Sequence, residues 1–243
     1  PVVGVGRYTS PDSMVSAVRR GVLDLIGAAR PSIADPHLPR KVREGRLGEI
    51  RECIGCNICV ATDPKSLPIR CTQNPTMGEE WRRSWHPERI PVRRNDSAVM
   101  VVGAGPAGLE AARALGQRGH RVDLLDSRRR LGGRVDREAL LPGLAAWRRV
   151  VDWRLGRIEA MPEVSVYPES PMTAEDVLAA DARHVIVATG ATWRRDGRGR
   201  SLGHAVAGWD APHVRTPDDV LDDLVASTWS LPTGRVLVYD DDH

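Results

Sequence analysis

The feature that most constrains the fold of this 243-residue chain lies between Ala98 and Asp126. The apolar run Val99–Val102 meets Gly103-Ala104-Gly105-Pro106-Ala107-Gly108, after which Leu109, Ala112 and Leu115 repeat at helical spacing. A second apolar run, Val122–Leu125, ends at Asp126. A G-x-G-x-x-G string alone is weak. Between a strand and a helix, with an acid at the end of the next strand, it specifies a dinucleotide-type fold. Gly103 makes the tight turn, Gly105 lets backbone meet a pyrophosphate, and Gly108 allows helix to pack on strand. Pro106 and Ala107 complete the binding loop at a helix N-terminus that faces the diphosphate. Asp126 falls where a carboxylate accepts from ribose hydroxyls. Gly132-Gly133-Arg134 adds a second glycine pair beyond the acid. Val185–Val187 followed by Ala188-Thr189-Gly190 reads as a buried strand breaking at a glycine near the cofactor. The competing reading of these glycines is a structural loop without a ligand.

All four cysteines, Cys53, Cys56, Cys59 and Cys71, follow the pattern C-x2-C-x2-C-x11-C. Three thiolates at successive x2 spacing wrap one face of a compact cluster, and the fourth closes the set from a later loop, as in a [4Fe–4S] site. Gly55 supplies backbone freedom, and Ile54 and Ile58 can shield the metal from water. Zinc is the first rival, although structural zinc sites usually present two separated ligand pairs. Disulfides would need an oxidising compartment, to which nothing in the sequence points.

The first fifty residues repeat one pattern. Val2–Val5 has the continuous apolar character of a strand buried on both faces, and Gly6-Arg7 follow it. Ser10-Pro11-Asp12 supplies a helix start and Gly21 a C-terminal cap. Val22–Ile26 reads as the next strand, Gly27-Ala28-Ala29-Arg30 as its exit loop, and Asp35-Pro36 as the start of a helix closed by Gly45. Two such units suit the end of a (β/α)8 barrel, where the last strand loops commonly hold a phosphate. An ordinary α/β fragment with two surface arginines fits the spacing equally well.

Composition removes several classes of function. Net charge is only +3, lysine is confined to Lys41 and Lys65, and aromatics make up 4% without basic–aromatic interleaving, so nucleic acid is not an expected partner. No run of about 18 apolar residues exists to span a membrane. No secretory leader opens the chain, and a cytoplasmic location is expected. Pro1 leads straight into an apolar run, and Arg235–Tyr239 reads as a final strand, so both ends look cut from something longer.

Arg51-Glu52-Cys53-Ile54-Gly55-Cys56-Asn57-Ile58-Cys59, then Cys71-Thr72-Gln73-Asn74-Pro75, resembles the trimethylamine and dimethylamine dehydrogenase family. So do Gly78-Glu79-Glu80-Trp81 and Trp85-His86-Pro87-Glu88. The family includes histamine dehydrogenases and demethylases of N-methylated amino acids, with 2,4-dienoyl-CoA reductases as more distant relatives. The resemblance implies an Old Yellow Enzyme-like barrel bearing FMN, then a [4Fe–4S] cluster, then a domain like those of flavin disulfide reductases. Gly6, Arg7 and Arg30 match the FMN-phosphate loops, with backbone contact at Ala29. Gly103 through Gly108 with Asp126 match a site that holds ADP in some members and FAD in others. Electrons would pass from FMN to the cluster and on to an external electron-transfer flavoprotein, in a homodimeric parent that oxidises a small amine. The residues that contact substrate would lie in earlier barrel strands, so no catalytic residue is assigned and the chain alone is expected to be inactive.

The expected architecture is α/β. Residues 1–50 form the last two units of a TIM barrel and residues 51–95 an iron–sulfur connector. Residues 96–232 form a Rossmann-like FAD/ADP domain, and residues 233–243 the first strand of a further region. After that strand, Asp240-Asp241-Asp242 stands where a reductase would begin a second phosphate loop. Three carboxylates there would repel a dinucleotide, which favours amine oxidation over NAD(P)H-dependent enoyl or dienoyl reduction. A non-catalytic electron-transfer or nucleotide-binding remnant is the third possibility.

Overall fold

The computed structural model describes residues 1–82, 89–180, 182–230 and 232–240. Trp85-His86-Pro87-Glu88 of the family resemblance, and Asp241 and Asp242 of the acidic run, lie outside the described residues. The chain forms two compact units, Pro1–Thr189 and Gly190–His243.

The first unit opens with β1 (Val3–Val5), α1 (Pro11–Arg19) and β2 (Leu25–Gly27), the strands pairing in parallel with Val3 opposite Leu25. Ser10 is the extended N-cap residue of α1, Pro11 fixes its first turn, and Gly21 follows it at a left-handed φ of 68°. Val22 and Leu23 still donate to the carbonyl of Ala17, so β2 begins later than the apolar run suggests. The expected two-sided burial is not found: Val3 is 56% and Val5 75% exposed. With a single paired neighbour among the described residues, β1 and β2 leave their outer edges without a further strand and much of their surface exposed.

The exit loop after β2 is shorter than expected, because α2 (Ala29–Ala34) already includes Ala29 and Arg30. The next helix, α3, spans Leu38–Arg43 and does not start at Asp35. Asp35 is fully buried and serves as a hub, accepting from the His37 N–H (3.1 Å), Lys41 Nζ (2.7 Å) and the Arg51 N–H (2.9 Å). Lys41 also reaches the Glu49 carbonyl at 3.0 Å. A buried carboxylate is tolerable only with such a full set of partners. Beyond this hub the described residues up to 98 are mostly irregular, with α4 (Ile58–Thr62) as their one α-helix.

The rest of this unit builds a parallel sheet from β3 (Val99–Val102), α5 (Pro106–Gln117), β4 (Val122–Leu125), α6 (Gly133–Glu138), α7 (Arg149–Glu159), β5 (Val164–Tyr167), α8 (Ala174–Ala179) and β6 (His184–Val187). Strand order is β5-β4-β3-β6, the order of a Rossmann half with its crossover beside β3. Val101, Leu124, Leu109, Ala112 and Val151 are wholly buried between this sheet and the paired helices α5 and α7. Each large apolar side chain removed from water contributes roughly 1.5–3 kcal/mol. β6 forms as expected but is not buried, with Val187 73% exposed, because among the described residues it is the edge strand and pairs only with β3.

In the second unit, α9 (Pro217–Val225) starts at Thr216-Pro217-Asp218-Asp219. Thr216 Oγ1 accepts from the Asp219 N–H and Asp219 accepts from the Thr216 N–H, a reciprocal capping box. Arg195 pairs with Asp219 at 2.6 Å. The strand expected over Arg235–Tyr239 is absent: a strand exists through its ladder, and among the described residues no strand pairs with this segment.

Candidate cofactor sites

The glycine loop joins β3 to α5, and each of its three glycines has its own cause. Gly103 has a φ of 103°, and a Cβ there would lie 2.4 Å from the Ala188 carbonyl oxygen. At Gly108 a Cβ would lie 1.8 Å from the Gly103 carbonyl oxygen, so helix and loop touch backbone to backbone. Gly105 differs, since a Cβ would meet nothing within 4 Å. Its missing side chain leaves a cradle open in front of the first turn of α5, where Pro106 and Ala107 lie and where helix N–H groups have no intrahelical acceptor. A diphosphate fits this cradle by shape and by dipole.

Gly132 donates from its N–H to the Ala104 carbonyl at 2.9 Å, and a Cβ on Gly133 would approach Gly105 Cα to 3.1 Å. The second glycine pair therefore closes one side of the same loop, with the half-buried Arg134 next in α6. Asp126 lies against the loop as well: one oxygen accepts from the Ala104 N–H at 2.6 Å, the other from the Arg128 N–H at 2.8 Å. A carboxylate has about four acceptor positions, so ribose hydroxyls remain compatible with both bonds. Ala188 joins the site by donating to the Val102 carbonyl at 2.7 Å. Gly190 follows two residues later at a φ of 83° and opens the second unit.

The cysteine loop faces the ends of β1 and β2. Arg7, just past β1, donates to the Cys53 carbonyl at 3.3 Å, and a Cβ on Gly55 would lie 2.9 Å from the Arg7 guanidinium. Arg30, in α2 beyond β2, donates to Asn57 Oδ1 at 2.8 Å. Gly55 and Asn57 both have left-handed φ values, 73° and 60°, which turn the chain sharply between successive cysteines. Gly6 and Ala29 flank these arginines at the same strand ends.

All four thiols are half-buried and free. Burial pushes the Cys71 thiol up, partly offset by backbone N–H groups of Asn74 and Gln73 directed at its sulfur. Cys71 is also close enough to Cys56 and Cys53 to feel their charge. Cys56 Sγ lies 3.1 Å from Thr72 Oγ1. Among the described residues, no three Cys, His, Asp or Glu side chains stand at metal-holding geometry. The donor chemistry nevertheless fits a thiolate-bound metal: four soft ligands in one loop, with N–H donors aimed at sulfur.

The sequence pattern missed a buried polar network behind this loop. Arg154 of α7 donates to Gln73 Oε1 at 2.9 Å and to the Gln73 carbonyl at 3.4 Å. It also donates to Glu110 of α5 at 2.8 Å, and Glu110 takes Arg113 at 2.6 Å. Arg51 reaches Asn74 Oδ1 at 3.2 Å. The Arg51, Arg113 and Arg154 guanidiniums stand 4.7, 5.5 and 5.8 Å from the Trp153 ring. Trp153 itself donates to the Glu49 carbonyl at 3.1 Å. A visible signal existed in the helical spacing of Val150, Arg154 and Ile158, which places an arginine on the apolar stripe.

Residues 1–49 match the NADH:flavin oxidoreductase / NADH oxidase family, and residues 101–160 match the NAD(P)-binding Rossmann-like domain. Dimethylamine dehydrogenase of Hyphomicrobium sp. (strain x) is 48% identical over 228 residues, covering 90% of this chain and 31% of that protein. The solved structure of 6-hydroxypseudooxynicotine amine oxidase from Pseudomonas geniculata N1 superposes with a TM-score of 0.88 at 58% identity, over 91% of this chain and 33% of that one. Histamine dehydrogenase from Rhizobium sp. 4-9 gives 0.81 at 58% identity, over 84% and 30%. The chain thus spans about a third of the length of these relatives. By these similarities, on top of the cysteine and glycine motifs, the chain belongs to the family of the dimethylamine and histamine dehydrogenases.

Proposed function

We propose that the chain is a segment of an iron–sulfur flavoprotein that oxidises a small amine or N-methylated amino acid. One observation carries the proposal: Arg7 and Arg30 reach from the strand ends to the cysteine loop, joining the flavin-family segment to the cluster segment. The similarity to proteins named for oxidising amines supports that substrate class. β1 through α3 are the end of a (β/α)8 barrel, and Gly6, Arg7, Ala29 and Arg30 hold the phosphate of FMN there. Cys53, Cys56, Cys59 and Cys71 ligate a [4Fe–4S] cluster. Gly103, Gly105, Pro106, Ala107, Gly108, Asp126, Gly133 and Arg134 form the site for ADP or FAD.

Bound FMN would supply the two-electron acceptor, and the cluster would carry electrons singly to an external electron-transfer flavoprotein. This chain binds and orients those groups and contributes no catalytic residue. The parent is a cytoplasmic homodimer, and the chain alone turns over no amine. Among the described residues no helix is long and apolar enough to cross a membrane.

The test is anaerobic mixing of the full-length protein with dimethylamine, histamine and N-methylated amino acids. One of them should bleach the flavin spectrum and reduce the cluster in the same sequence of events. Reduction by NADPH with turnover of an enoyl thioester, and none by any amine, would instead establish the reductase.

A further inference from the structure

Arg154 is nearly completely buried, at 3% exposure, and shares Glu110 with Arg113, so two guanidiniums face one carboxylate. An arginine on the apolar stripe of α7 is not required for stability, because hydrophobic replacement of buried ions is often neutral or stabilising. Both ends of its fork reach one residue of the cysteine loop, Nη1 on Gln73 Oε1 and Nη2 on the Gln73 carbonyl, while Nη1 also donates to the Val150 carbonyl at 2.9 Å. Gln73 is wholly buried, two positions after Cys71, and its backbone N–H is directed at the Cys71 sulfur. Gln73 Nε2 in turn holds the Glu52 carbonyl, beside Cys53, at 3.1 Å. A buried cation is thus separated from the thiolate loop by a single residue that touches both of its ends.

We propose that Arg154 is a positioning residue for the cysteine site, holding Gln73 and placing positive charge behind Cys71 so that addition of an electron there is favoured. The inference rests on the cluster proposed above. The step concerned is the uptake of one electron, from a reduced flavin in the enzyme or from dithionite in a titration. The four-thiolate site becomes one charge more negative, and no bond to the protein forms or breaks. A nearby cation, poorly screened in a buried setting, stabilises that added charge. Reduction potentials of such clusters respond to net charge and to hydrogen bonds at sulfur.

The experiment is an anaerobic redox titration of the full-length holoprotein by electron paramagnetic resonance, with iron and sulfide measured in each sample. Arg154→Gln should lower the ratio of reduced to oxidised cluster at a fixed potential about tenfold, equivalent to about 59 mV for a one-electron couple. Arg154→Lys, which keeps the charge, should stay near wild type. Glu110→Gln removes the shared carboxylate and should move the midpoint the opposite way, which gives a readout even if Arg154→Gln fails to fold. Equal midpoints in cluster-loaded wild type, Arg154→Gln and Glu110→Gln would overturn the inference while leaving the cluster itself in place. Equal losses in Arg154→Lys and Arg154→Gln, with no rise in Glu110→Gln, would also overturn it, as a purely structural effect. A wild-type protein without iron or sulfide would overturn the cluster proposal, and the inference with it.

Discussion

Arg30 donates from Nη1 to Oδ1 of Asn57 at 2.8 Å, fastening the segment after β2 to the turn between the second and third cysteines. Asn57 holds that turn at a φ of 60°, a conformation costing a residue with a Cβ roughly 1–2 kcal/mol unless its side chain helps. Asn57→Gly should relax the backbone but lose the tether, and Asn57→Ala should lose both. Iron retained after gel filtration should therefore fall in the order wild type, Asn57→Gly, Asn57→Ala. Equal retention in all three would show that the tether does not hold the loop.

Gly103 and Gly105 should separate folding from binding. Gly103→Ala forces a Cβ into the Ala188 carbonyl at an unfavourable φ and should cost about 2 kcal/mol or more of stability. Gly105→Ala meets open space, so its melting temperature should stay within about 2 °C of wild type. Its Cβ nevertheless occupies the cradle, and calorimetric ADP binding should be lost. A Gly105→Ala protein that binds ADP normally would place the diphosphate elsewhere.

Asp126 makes two predictions at once. Its two backbone acceptor bonds mean that Asp126→Ala should loosen the glycine loop by about 2 kcal/mol. Its charge means that the nucleotide-free protein should prefer ADP to 2′-phospho-ADP, less than fully because Arg128–Arg130 lie close in sequence. Calorimetry with both nucleotides decides, and equal affinities would remove Asp126 from the ribose.

Glu110 should leave a mark on acid stability. Burial works against its carboxylate, but Arg113, Arg154 and Arg51 outweigh it and hold its pKa below the ordinary value. A folded pKa below the unfolded one, about 4.3, stabilises the fold above that value, and the contribution is lost as pH falls through the folded pKa. Glu110→Gln should cost about 2 kcal/mol at neutral pH and much less in acid. Denaturant titrations at about pH 7 and about pH 3 would show it, and an undiminished cost at the lower pH would contradict the assignment.

The strand–loop–helix–strand unit was legible because its determinants are local: Val99–Val102 and Val122–Leu125 begin and end where the apolar runs do. Capping chemistry placed Ser10-Pro11 correctly for the same reason. Burial was misread at Val3, Val5 and Val187, because an apolar run states a preference and only neighbouring elements can satisfy it. Asp35 looked like a helix start and proved to be a buried hub, since its partners Lys41 and Arg51 come from later turns. α7 and β5 went unread: arginines on an otherwise apolar stripe blur a helical period, and Val164–Tyr167 is short. The Arg154–Gln73 bond spans 81 positions, a distance over which spacing carries no signal.

The most direct test is the metal content of the cysteine loop. Protein prepared anaerobically should hold about four irons and four sulfides per chain. It should lose them when any one of Cys53, Cys56, Cys59 or Cys71 is changed to Ala. Stoichiometric zinc without iron or sulfide, after anaerobic reconstitution with both metals on offer, would contradict the account.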